Sequence, residues 1–156
     1  MKAYEILNKG EEIHGRLHGR VEASEIKNLI VKLKENGFNH FVMLSCIDWL
    51  DANEFELVYH LWSYEYKEHV MLFLRLPREN PKVESLHDIF PQIETYEREI
   101  HELYGVYFEG NKRLKPLFLE GWRDIPPMRK DFDSKKFVKD VYEKIPEVEE
   151  DENEGI

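Results

Sequence analysis

Polar and apolar positions alternate over residues 13–22. Ile13, Gly15, Leu17, Gly19 and Val21 fall on one side, and His14, Arg16, His18, Arg20 and Glu22 on the other. A period of two predicts a half-buried strand. The two glycines within it predict an edge position or the close approach of another backbone. The period then lengthens. Ile26, Leu29, Ile30 and Leu33 recur at helical spacing, with Ser24 placed to cap the helix and Gly37 to stop it. Residues 38–47 are apolar and β-leaning, which predicts a buried strand, with Asp48 capping its end. After a turn at residues 51–53, Phe55, Leu57, Tyr59 and Leu61 alternate with Glu56, Val58, His60 and Trp62. A polar gap at residues 63–68 leads into a second apolar run at 70–76, so this pair reads as a hairpin. Pro77 and Pro81 bracket a loop. Beyond Pro91, Ile93, Tyr96, Ile100, Leu103 and Tyr104 share one face of a second helix that ends at Gly105.

These elements predict an α+β domain over residues 1–110, with a mixed or antiparallel sheet of about four strands and helices packed on one face. The pattern dissolves after Gly110. Residues 111–132 hold Pro116, Pro126, Pro127 and Gly121 but also Leu114, Leu117, Phe118, Leu119, Trp122, Ile125 and Met128. A long segment without periodicity in a compact domain is often functional. We therefore expect residues 111–142 to form an extended, irregular partner-binding arm that also wraps the domain's own sheet. Residues 143–156 are expected to form an acidic, disordered tail.

Composition narrows the classes. The chain has 156 residues, about one domain's worth. Its formal charge of −10 argues against non-specific nucleic-acid binding, which needs a positive footprint. The charge is uneven. Residues 143–156 carry seven acids and one Lys, whereas residues 111–130 carry six basic and two acidic side chains. A basic arm with Phe118 and Trp122 as anchors, and Arg123, Arg129 and Lys130 to set register, suits a protein partner. The one cysteine, Cys46, lies in an apolar strand and reads as an inert buried thiol. The first residues show no signal-peptide core, and no apolar run approaches the ~18 residues that span a bilayer. The expectation is a soluble, intracellular chain that meets a membrane only through partner subunits. Charged residues are 35% of the chain and Gln92 is its single glutamine, a balance common in thermophiles.

Candidate catalytic groups are few. His14 and His18 on one strand would stand ~13 Å apart, too far to share one zinc. His101-Glu102 opens like the H-E-x-x-H zinc motif, but Gly105 stands at the second histidine's position. Glu94, Arg98 and Glu102 follow one another at i,i+4 spacing, with Glu97 and Glu99 between them. Such a ladder is expected to be structural, or to grip the basic side chains of the arm. Two competing expectations are a stand-alone small enzyme using Glu97, Glu99 and His101 for acid–base work, and a soluble adaptor.

Residues 96–110, YEREIHELYGVYFEG, resemble the Y-E-R-E-x-x-D/E-φ-φ-G-φ-x-F-x-G signature of one family. Leu114-Lys115-Pro116-Leu117, then Gly121-Trp122, then Pro127-Met128-Arg129-Lys130-Asp131-Phe132 resemble its closing motifs. Residues 81–91, with Ser85, Asp88, Ile89 and Phe90, resemble its P-x-φ-x-S-φ-x-D-I-F/W-P stretch. The family is that of the 30-kDa-type (C-type) subunits of complex I, NADH:quinone oxidoreductase, with related subunits in membrane-bound [NiFe]-hydrogenase and similar energy-converting complexes. Asn111, Thr95 and Lys115-Pro116 depart from its commoner residues and lean toward a hydrogenase-type or sulfur-reducing relative.

The resemblance implies an accessory subunit with no catalytic, cofactor or metal site of its own. Its partners would be the large hydrogenase-like (49-kDa-type) subunit and iron–sulfur subunits, which would carry iron–sulfur clusters and, in hydrogenase relatives, NiFe. Its implied location is peripheral, on the cytoplasmic side of the membrane. Glu97, Arg98 and Glu99 match the helix signature, and Arg129, Lys130, Asp131 and Phe132 match the closing motif; all seven are implied partner-binding residues, alongside Phe118, Trp122 and Arg123.

Overall fold

A computed structural model describes residues 3–7 and 10–141. The elements run α1 (Ala3–Leu7), β1 (Glu11–Ile13), β2 (Arg16–Arg20), α2 (Ile26–Glu35), β3 (His40–Trp49), β4 (Glu54–Ser63), β5 (Glu68–Pro77), β6 (Lys82–Glu84), α3 (Ile93–Tyr104), β7 (Tyr107–Glu109) and α4 (Ser134–Val141). The main sheet has five strands in the order β1-β2-β5-β4-β3. β2 and β5 are parallel, and the other neighbours are antiparallel. A second, two-stranded sheet pairs β6 with β7 in parallel. The class is α+β as expected, with one more strand in the main sheet than the pattern suggested.

Alternation builds the core. Phe55, Leu57, Tyr59 and Leu61 of β4 and Val70, Leu72, Leu74 and Leu76 of β5 face the same side and are sealed from solvent. Ile26, Ile30 and Leu33 of α2 and Ile93 and Ile100 of α3 close over them in one continuous cluster. Tyr59 is the largest fully buried side chain, and its hydroxyl has no hydrogen-bond partner among the described residues. A buried donor left unpaired costs stability. Tyr59→Phe is therefore expected to leave urea stability unchanged or raise it by about 1 kcal/mol. A clear loss would show that the hydroxyl is satisfied after all.

Several local expectations are corrected. Residues 13–22 are not one strand. His14 and Gly15 take left-handed conformations (φ 51° and 72°) and turn the chain back as a two-residue hairpin loop. The turn reverses parity, so Ile13 pairs with Arg16 and shares the uncovered face rather than the core side of Leu17. Gly19 makes room for side chains and not for another backbone: a Cβ there would lie 3.1 Å from the Leu7 side chain of α1. Ser24 does not cap α2, which starts at Ile26 behind a helical Glu25 without a side-chain cap. Asp48 lies inside β3, buried, instead of capping the strand's end. The tail at 143–156, and residue 142 of the arm, lie outside the described residues.

Candidate functional site

The arm leaves β7 and runs back along α3. Gly105, with φ 85°, ends α3 in a left-handed cap and donates its N–H to the His101 carbonyl. Pro126 of the arm packs close to this glycine, 3.4 Å from where a Cβ would stand. His101 Nδ1, 2.8 Å from the Val106 carbonyl, serves as a donor at the same corner.

The charged ladder of α3 grips mainly the arm's backbone, and meets one of its basic side chains, Arg113, through Glu94. The Arg98 guanidinium donates to the carbonyls of Lys115 and Pro116 at 3.3 and 3.1 Å. One turn on, the Glu102 carboxylate accepts the N–H groups of Leu117, Phe118 and Leu119 at 2.8–3.1 Å. Three successive amides around a carboxylate form an anion-holding nest. Partial desolvation pushes the Glu102 carboxyl up, but the three amides and the Arg98 charge carry it below its usual value. Glu94 lies 3.6 Å from Arg113. The Glu99 side chain makes no hydrogen bond or ion pair among the described residues.

Glu97 is not on a solvated face. It is fully buried and accepts from Ser85 Oγ at 2.6 Å, the Leu86 N–H at 2.9 Å and Asn111 Nδ2 at 2.8 Å. The β6–β7 ladder brings these donors together: Ser85 follows β6, Asn111 follows β7, and the Ser85 N–H donates to the Glu109 carbonyl. Burial pushes the Glu97 carboxyl up against the pull of its three hydrogen bonds. A carboxylate sealed in this way holds the arm's root, and of the expected acid–base trio Glu97 is bound to Ser85, Leu86 and Asn111 while His101 donates to the Val106 carbonyl.

The far end of the arm is fixed by a group that sequence reasoning missed. Arg78, at the end of the β4–β5 hairpin, has Nε 2.9 Å from Oδ1 of the buried Asp48, and Nη2 donates to Asp48 Oδ2 at 3.0 Å and to Asp131 Oδ1 at 2.8 Å. The Nε contact is an ion pair without good hydrogen-bond alignment. The Lys130 N–H also donates to Asp48 Oδ2, at 2.8 Å. Arg129 reaches Asp131 at 3.2 Å, and both guanidiniums lie over the Phe55 ring, at 5.3 and 5.5 Å. Desolvation pushes the Asp131 carboxyl up, yet the two arginines hold it below its usual range. Cys46, two residues before Asp48 on the core side, is pushed up to about 12 by burial and by the Asp48 charge, so its thiol stays protonated.

The remaining arm residues divide in two. Trp122 turns inward, its ring 5.5 Å from Phe132 and 4.8 Å from Phe137 of α4, with Nε1 donating to the carbonyls of Asp124 and Ile125. Phe118, Ile125 and Met128 point outward, at 67%, 42% and 54% exposure. Arg123 and the Lys130 side chain are solvent-facing and make no ion pair among the described residues.

Comparison with known proteins matches this architecture. Residues 20–138 fit the family model of the respiratory-chain NADH dehydrogenase 30 Kd subunit. The C subunit of the F(420)H(2) dehydrogenase of Methanosarcina mazei is 35% identical over 130 residues, covering 82% of each chain. The C/D 2 subunit of the NADH-quinone oxidoreductase of Aquifex aeolicus is 36% identical over 110 residues, which are 69% of this chain but 18% of that one. A chain of the membrane-bound sulfane sulfur reductase (MBS), described as an archaeal respiratory membrane complex, superposes with a TM-score of 0.83 at 33% identity, covering 97% of this chain and 95% of that one. An α+β domain whose helix signature carries its own basic arm thus has counterparts in respiratory membrane complexes. The chain belongs to the family of the 30-kDa subunit of respiratory NADH dehydrogenase. Among the described residues, no helix is long and apolar enough to cross a membrane.

Proposed function

We propose that this chain is a non-catalytic accessory subunit of a membrane-associated oxidoreductase complex, docking through its arm on the large hydrogenase-like subunit of the electron-transfer arm. The observation that carries this reading is the outward exposure of Phe118, Ile125 and Met128 on a segment whose backbone is tied to its own domain at several points. Exposed apolar anchors, with the solvent-facing Arg123 and Lys130 on the same segment, have the makeup of an interface core and rim. The Aquifex relative supports the choice of partner, since its name joins C and D in one chain. Iron–sulfur clusters, and NiFe in a hydrogenase-type complex, belong in this reading to the neighbouring subunits. Membrane attachment, on the cytoplasmic side, is then indirect.

Trp122 and Arg129 serve the arm's own packing, so their substitution would confuse docking with folding. Phe118→Ala combined with Met128→Ala is the cleaner test. Each side chain is worth about 2 kcal/mol when buried against a partner. The double variant should keep its thermal stability and fall at least about tenfold in recovery with the membrane-bound complex. Wild-type recovery would remove the arm as the docking surface.

A further inference from the structure

The arm is anchored at two points far apart in sequence. At one, the carboxylate of Glu102 sits in the nest of Leu117, Phe118 and Leu119. At the other, Arg78 clamps Asp131 of the arm to Asp48 of β3, and Asp48 also takes the Lys130 N–H. Between them the Met128 N–H donates to the Leu103 carbonyl at 3.0 Å. The three sites fix backbone at 117–119, 128 and 130–131, so the intervening loop can move only within that frame. Every one of these contacts joins a charged or backbone group of the domain to the arm. None uses the side chains of Phe118, Ile125 or Met128, which are left outward.

We propose that Glu102 and the Asp48–Arg78–Asp131 cluster are a pair of latches that finish the docking surface before the partner arrives. The inference rests on the reading that the arm docks. The partner then meets a rigid apolar strip instead of a loose strap, whereas a segment that folds on binding loses part of its interaction energy to its own ordering. Glu102 and Asp131 are positioning residues here. They raise affinity without touching the partner, by keeping the bound shape populated in the free chain.

The test uses the full-length chain, free and added back to a complex lacking this subunit. Amide exchange read by mass spectrometry should show residues 117–119 and 128–131 protected in the free wild-type chain. Glu102→Gln should speed exchange at 117–119, and Asp131→Lys at 128–131, by about tenfold or more. Exchange in β4 and α2 should stay unchanged, which separates arm release from unfolding. Both variants should rebind the complex more weakly, with Asp131→Glu restoring part of the loss. Free-chain exchange of the arm at unstructured rates would overturn the latches and leave the Phe118 and Met128 test of docking standing. Released arms with wild-type rebinding would overturn the proposal that ordering the arm in advance aids docking, and the docking reading would still stand or fall on the Phe118 and Met128 variant.

Discussion

An Arg78→Met variant is expected to lose about 3–5 kcal/mol of unfolding stability in urea. The reason lies in what remains, more than in what is removed. Asp48 is 2% exposed at its side chain and Arg78 6%, so the pair is almost wholly withdrawn from water. Taking the guanidinium away leaves a carboxylate in the core near Cys46 and opposite Phe55, with the Lys130 N–H as its remaining hydrogen-bond donor. An uncompensated buried charge is among the few single changes that cost this much. Asp131 would lose less, because it is 36% exposed and keeps Arg129. Adding Asp48→Asn to Arg78→Met should recover part of the loss, since the stranded charge is then gone. A single-variant cost below about 1 kcal/mol would mean that water reaches Asp48 and that the pair behaves as a surface bridge.

Why this cluster is invisible in the sequence is plain from its spacing. Asp48 and Arg78 are 30 residues apart, and Arg78 and Asp131 are 53 apart. Local periodicity carries information about neighbours within a turn or two, and none about which strand end a distant loop will reach. The long elements are legible because each repeats its signal many times: the β4–β5 hairpin through eight alternating apolar positions, α2 and α3 through their stripes. The β1–β2 hairpin is hidden because His14-Gly15 sits inside an unbroken alternation, so the turn looks like strand. β6 and β7 have three residues each and too little pattern to see. The α3 ladder is legible as a gripping element, and Glu94 does meet a basic side chain of the arm, but the backbone partners of Arg98 and Glu102 are not legible, since spacing alone cannot tell a side-chain partner from a backbone one. Glu97 does carry a usable signal. It stands four residues after Ile93 and three before Ile100, within the apolar stripe of α3, and a carboxylate on a core stripe implies buried donors waiting for it. Within the arm, exposure sorts what composition cannot, sending Phe118 outward and Trp122 inward.

The position of Glu97 on that stripe leads to the second large effect. Glu97→Ala is expected to cost about 3 kcal/mol, because it strands the Leu86 N–H and Asn111 Nδ2 at once in a dry site, while Ser85 Oγ keeps His87 Nδ1 at 2.8 Å. Glu97→Gln should cost less. It keeps the volume and one accepting oxygen, and the Ser85 hydroxyl can rotate to accept from the new amide, but Asn111 Nδ2 then faces a second donor. The pH dependence separates this account from a simple cavity. Burial first, offset in part by the three donors, leaves the folded carboxyl with a pKa above its ordinary value. The native state therefore binds that proton more tightly than the unfolded chain does. Its contribution is complete below the unfolded value of about 4.3 and is lost as pH rises through the folded one. Glu102 and Asp131, both held low, contribute in the opposite sense: theirs is present above the unfolded value and lost as pH falls through the folded ones. Relative to wild type, Glu97→Gln should gain stability as pH rises through that window, narrowing its deficit toward neutrality. A deficit that is flat with pH would show that Glu97 keeps the same proton affinity in both states, and that its three donors hold a carboxylate which burial has not disturbed.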